Sequence, residues 1–432
     1  MSFQTGLSGL NASSRSLDVI GNNIANANTT GMKSSRAEFG DLVASSLGVG
    51  SSGGAGIGVA VAAVPQQFTQ GNIAATGNSL DVAVNGGGFF QLTQNDGTAA
   101  YTRDGSFKLD KDGYIITNSG ANLMGLPTDK TGKPTSATIQ KLQLPTNAPI
   151  AANATTTITA EFNLDARAKD ATQAVAAGTT AAPRSTYGTS LNVYDSQGVA
   201  SPVSLYFVKT DGTANSWDIY GGLDGSPLTT STYPILGTMT FDAAGKITGP
   251  AVAAPGTGYG ITLAAGTIPS NNPNDAVSAG GTGYLSQAIA LDLSSVSQYG
   301  SPFAVSNLAQ DGYTAGELTG VSIGETGVIT SRYSNGQSQF SGQITLAEFR
   351  NVQGLTPVGG NAWVSTYSSG APVQGTPGAG RFGALRSGAL EDSNVDLTGE
   401  LVNMMVAQRA YQANAQTIKT QDQVMSTLVN LR

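Results

Sequence analysis

From Glu400 to Arg432 the chain runs 33 residues without a glycine or proline, although it holds 57 glycines and 17 prolines in 432 residues. Such a run predicts one continuous α-helix, about 50 Å long at 1.5 Å per residue. Asp396 is placed to cap it, and Glu400 suits its first turn. Along it Leu397, Leu401, Met404, Gln408, Tyr411, Ala415, Ile418, Asp422, Met425 and Val429 keep a four–three rhythm, the stripe of a helix that packs on another helix. The other end of the sequence repeats the rhythm with Phe3, Leu7, Leu10, Ser14, Leu17, Gly21 and Ile24. Both stripes are interrupted by small or polar residues. Helices of this kind are marginal alone in water, so each needs the other, or another copy's.

The first stripe runs into "GNNIANANTTG" (21–31), which holds Asn22, Asn23, Asn26 and Asn28. Asn, Ser and Thr compete for backbone hydrogen bonds and make poor helix. Two compatible readings follow: a helix end and turn closed by Gly31, and a polar, close-packing surface that hydrogen-bonds to neighbouring chains.

Between the ends the period changes from about 3.6 to 2. "LDVAVNGGGFFQL" (80–92) reads as strand, turn, strand. "YTRDGSFKLDKDGYIITNSGANLMG" (101–125) carries two Asp-Gly turns, and "GVSIGETGVITSRYSNGQSQFSGQITLAEF" (320–349) an Asn-Gly turn. "TTTITAEFNL" (155–164), "TSLNVYDSQG" (189–198) and "VSLYFVKTDGTANSWDIYGG" (203–222) also alternate. The expected fold is mixed α and β and multidomain. Terminal helices, 1–30 and 397–432, pair as a coiled-coil-like inner domain, with two mainly-β domains inserted between them. Residues 31–74 read as an extended linker, with 386–396 as its return. Residues 75–145 and 309–385 form a discontinuous β-domain, and 146–308 an outer β-domain in which 225–290 is an extra lobe or long loops.

Composition removes most chemistry. There is no cysteine and no histidine, which excludes disulfides, thiolate catalysis and the side chain most used for general acid–base work. Charged residues are 11% of the chain, against about 25% usually. The net charge of −7 shows no basic stripe for nucleic acid. No run reaches the roughly 18 apolar residues of a membrane span. The first basic residue is Arg15 and no apolar stretch follows it, so no cleaved secretory signal is expected. "GGAGIG" (53–58) and "GTGYG" (256–260) lack the strand–helix frame of phosphate loops. "DKDG" (110–113) lacks the distal ligands of a calcium loop. No catalytic residue, cofactor or metal ligand is expected, and the chain reads as a non-enzyme.

"SGLNASSRSLDVIGNNIANANTTGMKSSRAEF" (8–39) resembles the N-terminal signature of the flagellar rod and hook proteins. "LVNMMVAQRAYQANAQTIKTQDQVMSTLVNL" (401–431) is similar to their C-terminal signature, and 80–125 to their common β-domain. The long middle, with "NVYDSQG" (192–198) and 205–222, is similar to the outer domain of the hook members and absent from the shorter distal rod members. The resemblance implies a structural subunit of a curved helical tube, a universal joint that carries torque from motor to filament and forms part of the export channel. It implies self-association and partners at the distal rod, the hook cap, the hook–filament junction protein and the flagellar type III export apparatus. It places the protein in the extracellular flagellum, with no nucleic acid and no membrane insertion. The expected polymerisation residues are Phe3, Leu7, Leu10, Leu17, Asn22, Asn23, Ile24 and Asn26 at one end, and Leu397, Leu401, Met404, Tyr411, Ile418 and Met425 at the other. A rod protein of the same family, or a secreted β-rich adhesin or glycan-active protein, is the alternative.

Overall fold

A computed structural model describes residues 2–43, 56–129, 131–146, 149–168, 187–210, 215–223, 226–227, 235–251, 258–265, 269–271, 283–285 and 287–430. Its contacts divide the chain into two units. One comprises Met1–Asn147, Thr319–Arg332 and Ser338–Arg432, the other Ala148–Leu318 and Tyr333–Gln337. The architecture is mostly β, with one helix toward each terminus: α1, Ser2–Ala25, and α2, Leu397–Asn430.

The second unit is built on alternation. The strand Thr157–Asp165 turns Ile158, Ala160, Phe162 and Leu164 inward and leaves its odd-numbered residues outside. It pairs parallel with Ile289–Asp292 and Ser297–Tyr299 and antiparallel with Ala304–Gln310. A second sheet is a meander of Tyr187–Tyr194, Ala200–Lys209, Ser216–Leu223, Ile235–Phe241 and Ile247–Gly249. Between the inner faces lie Phe162, Phe207, Trp217, Ile219, Met239 and Leu291, all essentially closed to solvent. Within the region expected as a lobe or loops, the described strands Ile235–Phe241 and Gly260–Leu263 belong to these two sheets.

In the first unit the strand Phe89–Thr93 serves two cores. Phe90 points to one face, where it meets Phe107 edge-on at 5.1 Å among Val84, Leu123 and Leu346. Phe89, one residue earlier and on the other face, joins Tyr101, Phe349 and Trp363. Phe68 closes this aromatic cluster from outside the strands, 5.4 Å from Trp363. The Trp363 indole donates to Gln66 at 2.6 Å.

The segment expected as an extended linker is not featureless. Glu38–Val43 (β1) and Gly56–Ala63 (β2) pair antiparallel, with Phe39 opposite Val61 and Leu42 opposite Gly58. Alternating small and β-branched residues in "GIGVAVAA" suit a strand, where composition alone suggested an open tether. Farther on, Ile73–Ala75 pairs with Ala389–Glu391, so the outgoing and returning chain are stitched together.

Candidate assembly site at the paired termini

α2 starts as its sequence dictates. Asp396 Oδ1 accepts from the Thr398 N–H at 3.0 Å and its carbonyl receives the Glu400 N–H. From there the helix lies antiparallel to α1. Asn23 Nδ2 donates to Glu400 Oε1 at 3.0 Å, Ser13 Oγ accepts from Asn414 Nδ2 at 3.4 Å, and Gly6 lies against Ile418. The seam on α1 is made of small residues. A Cβ on Gly9 would stand 2.9 Å from Asn414 Nδ2, and one on Gly6 3.2 Å from Ile418 Cγ1. Gly6, Gly9, Ser13, Ile20 and Asn23 thus form the face that meets α2, through close backbone approach rather than interlocking large side chains.

This seam differs from the apolar stripe read in the sequence. Leu10, Leu17 and Ile24 lie half-buried on α1, and Leu7 is exposed. On α2, Met404 and Ile418 are half-covered, while Leu397, Leu401, Tyr411 and Met425 are exposed. The Phe3 side chain lies outside the described ones. Of the Asn residues, Asn22 is exposed, Asn26 half-buried and Asn23 1% exposed. Pattern reading missed Val402, Met405, Val406 and Val424, four more exposed apolar side chains of α2. They lie off the four–three stripe of 397, 401, 404 and 425, so a search for that rhythm passes over them.

Asn23 explains why the helix ends polar. Its Oδ1 accepts from Ser35 N at 2.9 Å and its Nδ2 donates to Ser35 O at 2.8 Å, so one amide clamps backbone twelve positions on, as a strand neighbour would. Asn26 and Thr29 satisfy the last turn: Asn26 Nδ2 donates to Asn22 O and Thr29 Oγ1 to Asn26 O. Gly31 then turns the chain at φ +69, with room for no side chain, since a Cβ would stand 2.6 Å from Asp104 N.

Below this turn lies a buried ionic hub. Lys33 Nζ contacts Glu391 Oε1 at 2.6 Å and Arg103 Nη1 contacts Glu391 Oε2 at 3.3 Å, with Lys33 and Glu391 at 0% exposure. Lys33 also donates to Thr69 O, the Gly71 N–H to Glu391 Oε1, and the Gly31 N–H to Glu391 O. The Arg103 guanidinium sits 5.2 Å from the Phe89 ring centroid. Two cations share one carboxylate. Burial pushes the Lys33 ammonium below its ordinary value and Arg103 adds to that, while Glu391 pulls the other way. Beside the hub, Asn394 accepts from Ser34 N at 2.7 Å and donates to Gln67 O at 2.7 Å. The exit of α1 and the approach to α2 are thereby bonded to each other and to the β-structure. Nothing local in the sequence announces this hub, because Lys33 and Glu391 are 358 positions apart.

The arrangement is one of packing, hydrogen bonds and ion pairs. Among the described residues no group of three or more Asp, Glu, His or Cys could hold a metal ion. No described helix is long and apolar enough to cross a membrane.

Four family models match the chain. They are described as flagella basal body rod protein (residues 3–33), flagellar hook protein FlgE/F/G D1 domain (83–161), flagellar basal body protein FlaE D2 domain (163–313) and flagellar basal body rod FlgEFG protein C-terminal (386–431). The chain is 41% identical to the flagellar hook protein FlgE of Escherichia coli K12 over 437 aligned positions, covering 100% of both. It is 34% identical to that of Treponema pallidum, covering 100% of this chain and 99% of the other. The crystal structure of Helicobacter pylori flagellar hook protein FlgE2 superposes with a TM-score of 0.52 at 15% identity. It covers 74% of this chain and 100% of that one, a likeness of fold.

Proposed function

This chain belongs to the flagellar hook protein family and is a structural subunit of the hook, and from that premise we propose how it assembles. The terminal helices act as a coiled-coil-like inner domain. They pack against copies in neighbouring subunits to build a curved helical tube, the universal joint between motor and filament. The observation that carries this reading is the mismatch within the helix pair. Its internal seam uses Gly6, Gly9 and Ser13, while Leu7, Leu397, Leu401, Val402, Met405, Val406 and Met425 stay exposed. A pair that spends small residues inside and keeps large apolar ones outside is shaped for further helices. Contacts of this kind that do not close give an open polymer.

The chain acts without catalysis. It meets the distal rod, the hook cap, the junction protein and the type III export apparatus, and it works outside the cell as part of the flagellum. The β-units stack outward, and their Ser-, Thr- and Asn-rich surfaces make wet, exchangeable contacts that let the tube bend.

Electron microscopy and sedimentation of the full chain beside Leu401→Asp test the reading. The expected result is tubes from the parent and a folded, unpolymerised variant, because a buried carboxylate at the helix seam is costly. Normal tubes from Leu401→Asp would remove the terminal helices from the assembly contact.

A further inference from the structure

α2 outlasts its partner. With Gly6 against Ile418, the antiparallel register sets Ser2 level with Asp422. The eight residues from Gln423 to Asn430, about 12 Å of helix, run past it. The face that meets α1 through Ala407, Asn414 and Ile418 continues at heptad spacing through Gln421, level with the start of α1, to Met425, which α1 no longer covers. Met425 is 60% exposed there and its neighbour Val424 48%.

At the other end of the pair lies a groove of about 670 Å³. Its walls are Ala12, Ser16 and Val19 of α1, Val406 of α2, Phe39 of β1 and Val59 of β2. Glu400 lines it too. Its Oε1 takes the Asn23 amide, but its Oε2 is buried without a hydrogen-bond partner, a condition that costs free energy until a donor arrives. The tip of a chain cannot reach its own groove. Met425 and Val406 sit 19 positions apart on one continuous helix, roughly 28 Å at 1.5 Å per residue.

We propose that the end of α2, Gln421–Thr427, docks in the α1–α2–hairpin groove of a second copy. Val424 and Met425 cover the small-residue wall, and the tip's amides, Gln421 and Gln423, bring the donor that Glu400 Oε2 lacks. Tip and groove lie at opposite ends of the pair, so the contact is head-to-tail and repeats from copy to copy. The inference rests on the self-assembly reading above and specifies one of its contacts.

The chain has no cysteine, which makes the test clean. The full-length double variant Val406→Cys/Met425→Cys, mildly oxidised, is run without reductant. A disulfide needs Cα atoms within about 7 Å, so only two copies can form it. A reducible ladder of dimers, trimers and higher species is expected, with monomer alone from either single variant and from the control pair Gln416→Cys/Met425→Cys. Both test positions are exposed, and helix content by circular dichroism verifies folding. Tubes without a ladder, or a ladder as strong from the control pair, overturn the tip-in-groove contact and leave the hook reading standing. A ladder from the double variant, with a parent chain that never forms tubes, keeps the contact and sinks the tube reading. Neither tubes nor ladder sinks both.

Discussion

The sandwich of the second unit and the helix pair of the first solve opposite problems with the same alphabet. In the sandwich, strands bury Phe162, Phe207, Trp217 and Ile219 almost completely, and these side chains find their partners within the unit. In the helix pair, Ile20 and Ala407 are the buried apolar side chains among the described ones, and the largest apolar side chains of α2 face outward. Where the pair joins the β-structure, hydrogen bonds and ion pairs replace hydrophobic area. The sandwich is finished by its own sequence. The helix pair is half of an interface, fastened at its base by a few polar groups.

That contrast predicts different sensitivities. Trp217→Ala should cost about 3–5 kcal/mol, read as an earlier denaturant transition of the second unit with helical circular dichroism unchanged. A loss below about 1 kcal/mol would mean the sandwich core is loose and the contrast false. Glu391→Gln should cost as much, about 3–5 kcal/mol, because it leaves Lys33 and Arg103 facing each other in a dry site. Its transition belongs to the first unit. Gly31→Ala should cost about 1–3 kcal/mol, since the turn needs φ +69 and the added methyl meets the Asp104 backbone. If it costs nothing, the base of the helix pair is slack.

Lys33→Met sharpens the comparison most finely. It leaves Arg103 and Glu391 as a one-to-one pair and should cost less than Glu391→Gln, about 1 kcal/mol, since the carboxylate keeps one cation and the desolvation of the lysine itself is removed. The parent carries a pH signature here. Lys33's affinity for its proton is lowered by folding, so between that lowered value and 10.5 the unfolded chain holds more protons and stability rises with pH. Lys33→Met should flatten this rise in alkaline thermal melts. A steeper rise in the variant would show that the lysine's charge is favoured, not penalised, by burial.

The sequence made the large elements legible and hid the small ones. α2 is readable because no glycine or proline interrupts the chain after Gly399, which favours a long helix, and Asp396 marks its start. The hairpin turn at Asn335-Gly336 was readable because Gly336 sits at φ +80. Apolar periodicity passes over the α1–α2 seam, because it finds large side chains, whereas this seam uses Gly6 and Gly9. The β1–β2 hairpin was hidden by small residues that look like a tether. The hub of Lys33, Arg103 and Glu391 was illegible for a different reason. Ionic pairing across 358 positions leaves no local pattern, and a lone lysine after Gly31-Met32 looks like any surface charge.

The stitching at the base of the helices also fixes where the molecule can give. A pull on α1 and a pull on α2 reach the β-structure through one cross-braced knot: Gly31 N–H on Glu391 O, Ser34 N–H on Asn394, and the shared carboxylate of Glu391. Sliding one leg past the other would break all of these together, so the load divides between two legs and the joint behaves as a weld. A twist delivered to the helices therefore meets the β-structure at a braced point, where several polar contacts must break together before it gives.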